Sequence, residues 1–288
     1  MLRHLARLPR FAAAPRRAFL GVLLTATALS AQGVVVAPPV LVMDHRTRTG
    51  AVELYNGGER PVEVRVELML GFPATDSVGQ FLLATPTTPP PGFRAATAWL
   101  EVFPARLTIA PGGRQTVRLL ATPPVDLADG EYSSRLAITS RHAPVAAGAD
   151  SGVIATELSV EVRAVTTVLY RKGAVRSALG VGAPTGIQRT GDTLSLRLPL
   201  TPGGSAAFLG TLRFELEDAA GRMVATHEQP VSLYVPVAPR FQLVVGDLAS
   251  GAYHLRVTPV AARADLLPGQ AAPTEAQPVR FPFVLPVR

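Results

Sequence analysis

FPARLTIAPGGRQTVRLL, Phe103 to Leu120, followed after one short turn by GEYSSRLAI, Gly130 to Ile138, decides the fold. Two strands are written around the Pro111-Gly112-Gly113 corner. Leu107 and Ile109 alternate with polar neighbours in the first, and Val117 and Leu119 do so in the second, which is the period of a half-buried strand. Such strands around tight corners build sandwiches rather than an enzyme core.

The same pattern extends in both directions. VVVAPPVLVM, from Val34, carries Pro38 and Pro39, which confine it to an edge or a strand switch because proline cannot donate to a ladder. AVELYN and PVEVRVELML follow, and Gly57-Gly58-Glu59-Arg60 between them reads as a hairpin turn. Val62, Val64, Val66 and Leu68 share one face, whereas Glu63, Arg65 and Glu67 share the other. Phe72 to Thr97, with Pro86, Pro89, Pro90 and Pro91 in a Thr-rich setting, reads as a long irregular loop. Trp99 and Phe103 read as core aromatics. The longest alternating run, Val153 to Tyr170, places Ile154, Leu158, Val160, Val162, Ala164 and Val168 on one parity.

Beyond Arg171 the chain reads as a linker with a first short strand up to Gln188, then at least six further strands. Turn signals lie at Gly203-Gly204, Asp218 to Gly221 and Ser250-Gly251, the spacing of a second sandwich. Ala261 to Pro278 reads as a loose loop. The expected fold is all-β: two immunoglobulin-like β-sandwich domains in tandem after a signal peptide.

The 288 residues suffice for two ordinary domains, and 48% hydrophobic against 17% charged composition is ample for buried cores. The net charge of +7 is unevenly placed: Arg3, Arg7, Arg10, Arg16 and Arg17 account for five, leaving +2 for the remainder. No basic run interleaved with aromatics survives, which argues against nucleic acid. The arginines precede AFLGVLLTATALSA, Ala18 to Ala31, the layout of a secretory signal peptide. At about fourteen residues it is short of the roughly twenty that a bilayer span needs. The expected organisation is therefore 1–31 signal peptide, 33–171 first sandwich and 172–288 second sandwich, with the mature chain exported to the periplasm and free of the membrane. There is no Cys, so packing alone must hold it together.

Motifs for chemistry are missing. No Gly-x-Ser-x-Gly elbow, Walker loop or His-Glu-x-x-His occurs, and His227-Glu228 runs into Pro230. No catalytic residue, metal site or cofactor is expected. An enzyme or carbohydrate-binding module would have to use the loop from Phe72 to Thr97, whose aromatics are Phe72, Phe81 and Phe93.

The order of motifs is more specific than any one of them. A proline-broken apolar first strand, Ala51 to Asn56 ending in Asn-Gly-Gly, a Pro-led second strand, the spaced prolines and Val-Arg-Leu from Pro104 to Leu119, and then Gly-Glu-Tyr resemble the first domain of periplasmic pilus and fimbrial assembly chaperones. The resemblance covers about Val34 to Arg171. It implies a two-armed protein that holds secreted or pilus-type subunits by adding a strand to their open groove, with an outer-membrane usher as a further partner. Leu158, Val160 and Val162 then lie on the donor strand, although alternation is equally what the inner face of a core strand shows. Arg118 and Glu131 match positions that form an ion pair near the interdomain hinge. The family grips the subunit's terminal carboxylate with an Arg on the first strand and a Lys on the last strand of domain one. Aligned by Asn56 and by Leu169-Tyr170-Arg171, those positions hold Val40 and Thr167. The alternative is a structural or adhesive secreted sandwich protein with no client.

Overall fold

A computed structural model describes residues 34–142 and 160–287. The expected signal peptide, 1–31, and Leu158 lie outside the described residues. Eleven strands make the first sandwich: β1 (Val34–Ala37), β2 (Val40–Asp44), β3 (Thr49–Asn56), β4 (Val62–Met69), β5 (Phe72–Thr75), β6 (Phe81–Ala84), β7 (Leu100–Phe103), β8 (Arg106–Ile109), β9 (Arg114–Ala121), β10 (Gly130–His142) and β11 (Glu161–Lys172). One sheet has the order β1-β3-β9-β7 and the facing sheet β2-β11-β10-β4-β8, while β5 and β6 pair only with each other.

Pro38 and Pro39 switch the first strand between sheets as the sequence implies. β1 pairs antiparallel with β3, and β2 pairs parallel with β11. The Pro-Gly-Gly corner is also a crossing: β8 lies beside β4 in one sheet and β9 beside β3 in the other. Asn56 latches it. Its backbone N–H donates to the Gly113 carbonyl and its own carbonyl accepts from Gly112 N–H. Its side chain, 1% exposed, donates to the carbonyls of Arg60, Ile109 and Ala110 and accepts from Gly58 N–H.

This latch corrects the hairpin expected at Gly57 to Arg60. β3 and β4 belong to opposite sheets, because Asn56 ties the end of β3 to the β8–β9 corner and turns the chain across the sandwich. Two further expectations change. Phe72 to Thr97 contains the β5–β6 hairpin, held partly by Phe72 against Phe93 at 4.8 Å. Phe103 is 77% exposed, since it ends β7 on the outward parity, whereas Trp99 packs on the core and edge-on to Tyr170. Val62, Val64, Val66, Ile109, Val117 and Leu119 are buried with Tyr170, Leu136 and Leu54 in one core.

The second sandwich holds β12 (Ser177–Val181), β13 (Thr185–Thr190), β14 (Thr193–Arg197), β15 (Leu200–Gly204), β16 (Phe208–Glu217), β17 (Met223–Leu233), β18 (Arg240–Val244), β19 (Gly251–Val260), β20 (Thr274–Glu275) and β21 (Val279–Leu285). Sheets β17-β16-β19-β21, β13-β14-β18 and β15-β12-β20 enclose a separate core around Phe208, Phe214, Phe241 and Leu255. The stretch 261–278 is more ordered than a loose loop: it contains β20, and Gln270 is buried with its amide donating to the Val40 carbonyl.

The two sandwiches lie within one compact unit, 31–288. Val40 and Leu169 from the first meet Leu209 from the second, with Ala207, Tyr234 and Leu266 around them. The β5–β6 turn also crosses: the Gly79 carbonyl accepts from Arg240 N–H at 2.7 Å.

Candidate protein-binding site

β11 is covered on one side along its whole length by β10, from Gly130 opposite Lys172 to Arg141 opposite Glu161. On the other side β2 pairs only with Thr167 to Arg171. The cause lies in the sequence. N-terminal to Val40 the chain is Pro38-Pro39, which cannot continue a ladder, and β1 has left for the opposite sheet. Thr167 N–H donates to the Pro39 carbonyl, which fixes the parity of the strand. By the two-residue period, the backbone N–H and C=O groups of Glu161, Arg163 and Val165 face this same side, where no strand pairs with them among the described residues.

The side chains follow the other parity. Ala164, Val168 and Tyr170 pack on the core, and Val162 and Val160 continue their row out of it. Val160 is 40% exposed and Val162 half-buried. The core reading of the alternation thus fits the C-terminal half of β11, and its N-terminal end presents apolar side chains beside an unpaired backbone edge. An edge of that kind is a template for another strand.

At the seam with the second sandwich, Glu131 is bonded to Arg171 rather than Arg118. Arg171 Nε donates to Glu131 Oε2 at 2.8 Å, and Ala207 N–H donates to Oε1 at 3.1 Å. Arg171 and Glu131 are direct cross-strand neighbours on β11 and β10, whereas Arg118 is exposed on β9 in the opposite sheet, across from Ala51 and Phe103. Arg171 also donates to the carbonyls of Gly269 and Gln270. The Glu131 side chain is 2% exposed, and burial holds its carboxyl above the ordinary 4.5 despite the attraction of Arg171. Lys172 is occupied by the Leu127 carbonyl.

Val40 and Thr167 are register partners on β2 and β11, so the two positions matched to the family's cation pair do meet. Neither brings a charge. The neighbour of Thr167 on β10 does: Arg135 lies directly across from it, and its Nη1 donates to Thr167 Oγ1. Arg135 carries no signal in the sequence, since what places it beside Thr167 is register, a long-range property. Phe93, from the segment considered for a ligand loop, stacks between Phe72 and Tyr234 and so serves the seam.

Fold and edge together define a tandem β-sandwich protein with a partly unpaired strand at the border of its first domain. No protein-family model matches the chain, and comparison with curated proteins finds no match. Among solved structures the chain is similar in fold to the YadV chaperone, with 14% identity over 88% of this chain and 99% of that one and a TM-score of 0.44. It is also similar to a chain of the Salmonella enterica SafA pilin in complex with the SafB chaperone, with 14% identity, 88% and 96% coverage and a TM-score of 0.39. The Pseudomonas aeruginosa CupB2 chaperone matches at 11% identity, 88% and 100% coverage and a TM-score of 0.41.

Proposed function

We propose that this chain is a non-enzymatic, periplasmic chaperone-like protein that captures extended strands of secreted or pilus-type subunits by β-augmentation along β11, and that it hands them to an outer-membrane usher. The observation that carries the reading is the edge of Glu161, Arg163 and Val165, with which no strand pairs among the described residues, beside the outward row of Val160 and Val162. Main-chain hydrogen bonds supply affinity in such pairing, and alternate side chains entering pockets supply selectivity. Export follows from the Arg-rich start and short apolar run of residues 1–31.

The test is the double variant Val160→Asp, Val162→Asp, assayed for binding to an immunoglobulin-like domain from which one edge-filling strand has been deleted. Each valine contributes about 1.5 kcal/mol when buried, so capture should weaken by at least roughly 100-fold. The unfolding transition should move little, because Val160 is already 40% exposed. Unchanged capture with an intact fold sinks the proposal.

A further inference from the structure

The bonding pattern of the β5–β6 hairpin can be read from its turn. Asp76 N–H donates to the Gln80 carbonyl at 3.0 Å, Gly79 N–H donates to the Asp76 carbonyl at 3.1 Å, and Gly79 has φ of +85°. That is a three-residue loop closed on a glycine bulge, with Asp76 and Gln80 as a hydrogen-bonded pair. An antiparallel ladder alternates, so the next pair, Thr75 with Phe81, is non-hydrogen-bonded, and so is Pro73 with Leu83. The place of Pro73 agrees, since it has no N–H to donate. The backbone N–H and C=O groups of Phe81 and Leu83 therefore point away from β5. No strand pairs with that side of β6 among the described residues.

The side chains along this edge are apolar and open. Phe81 is 42%, Leu82 45% and Leu83 41% exposed, and Val78 in the turn is exposed as well. No charged residue stands between Asp76 and Arg94. Asp76 itself serves the loop, its Oδ1 accepting from the N–H groups of Val78 and Gln80. Natural edge strands are guarded by charge, proline or a bulge. Pro73 guards the outer edge of β5 in this way, and nothing comparable stands between Phe81 and Ala84. The hairpin is also tied at its turn, where the Gly79 carbonyl accepts from Arg240 N–H and the Ser77 carbonyl from the Arg197 guanidinium. A pair of strands is marginal by itself, and a third strand would stabilise it.

The register of this edge fits another copy of itself. Phe81 and Leu83 are alternate residues, so an antiparallel copy related by a two-fold axis at Leu82 sets Phe81 opposite the second copy's Leu83, and the reverse. Each of these pairs exchanges both of its main-chain hydrogen bonds. The Leu82 side chains meet at the axis as a non-hydrogen-bonded pair, in which side chains come closest, and no like charges oppose each other. Neighbouring two-fold registers do worse. Centred on Phe81, the pairing needs Gly79, whose N–H and carbonyl are both taken. Centred on Leu83, it relies on Thr85, past the end of β6 and next to Pro86. We propose that the chain forms a two-fold dimer through β6, joining two hairpins into one sheet of order β5-β6-β6-β5. The interface is isologous and closes on itself. A strand of 4 residues on each side buries less than the roughly 1,200–2,000 Å² of a standard interface, so the dimer is weak, half formed at roughly 100 µM. This inference stands independently of strand capture at β11.

Sedimentation equilibrium of the full exported chain, from about 1 µM to about 1 mM, measures the association. The mean mass should rise from one copy toward two. At the highest concentration amide exchange should slow about 5-fold at Phe81 and Leu83, while Leu82, whose N–H faces β5, keeps its rate. Leu82→Lys sets like charges against each other at the axis and should weaken the dimer at least about 10-fold. Leu83→Pro removes only an outward N–H, as Pro73 does across the hairpin. It should also weaken the dimer, and it covers the case in which lysine disturbs the hairpin; the urea midpoint checks that each variant keeps its fold.

A chain that stays single up to about 1 mM overturns the proposal. So does a dimer that neither substitution weakens, or one in which Phe81 and Leu83 exchange at their free rates, because the copies then meet elsewhere. Growth beyond two copies overturns the two-fold closure. If the chain alone stays single while the strand-deleted immunoglobulin-like domain slows Phe81 and Leu83, the edge serves a client and the second copy is refuted.

Discussion

Replacing Asn56 should destabilise the first sandwich strongly. The side chain is 1% exposed and serves three carbonyls and one N–H across the β3–β4 turn and the β8–β9 corner. Its amide has two hydrogens, so about two donated bonds and one accepted bond are lost in Asn56→Ala. The Ala110 carbonyl keeps the Gly113 N–H at 2.9 Å, which softens the loss. At about 1 kcal/mol per neutral bond, and more for a group left buried and unmade, the expected cost is about 2–4 kcal/mol. Asn56→Asp should be worse at neutral pH, because an acceptor then faces three carbonyl oxygens, and it should recover partly at low pH as the acid gains a proton to donate. The assay is urea unfolding followed by Trp99, the only tryptophan, which packs in the first core and edge-on to Tyr170 at 4.8 Å. With a slope of about 2 kcal/mol per molar urea, the midpoint should fall by about 1–2 M. An Ala variant within about 0.5 kcal/mol of wild type, or an Asp variant no worse than Ala at neutral pH, refutes the latch.

Two further outcomes concern the seam. Burial raises the Glu131 carboxyl above 4.5 in the folded chain, so the folded state binds that proton more tightly than the unfolded one. Stability from this group is therefore greatest below 4.5 and declines as pH rises through the raised value; the stability of wild type relative to Glu131→Gln should shrink over that range in paired urea titrations, and a difference that grows with pH contradicts it. Gly79→Ala should destabilise by about 1–2 kcal/mol, since Gly79 has φ of +85° and a Cβ there would stand 2.9 Å from the Arg240 backbone nitrogen; an unchanged melting temperature would show that the hairpin turn does not bear on the second sandwich.

Local periodicity carried much of the fold. Val62, Val64, Val66, Val117 and Leu119 are inside because alternation within one strand is written in adjacent residues. The strand switch at Pro38-Pro39 was legible for the same reason, as proline acts where it stands. What stayed hidden was which sheet each strand joins. The turn after Asn56 looks like a hairpin locally, and only its bonds to Ile109 and Ala110, more than fifty residues away, send β4 to the other sheet. The seam failed for a related reason. Arg118 and Arg171 are both plausible partners for Glu131 until register places Arg171 opposite it. Arg135 had no sequence signal, because its place beside Thr167 is a property of the packed state.

Backbone hydrogen exchange at β11 tests strand capture most directly. The N–H groups of Arg163 and Val165 face the unpaired side, whereas those of Val162 and Ala164 face β10. In the chain alone the first two should exchange fast and the second two slowly. In complex with the strand-deleted immunoglobulin-like domain, Arg163 and Val165 should slow by roughly 100-fold or more, as expected for amides newly locked in a ladder. A complex that forms while Arg163 and Val165 exchange at their free rates would contradict capture along β11.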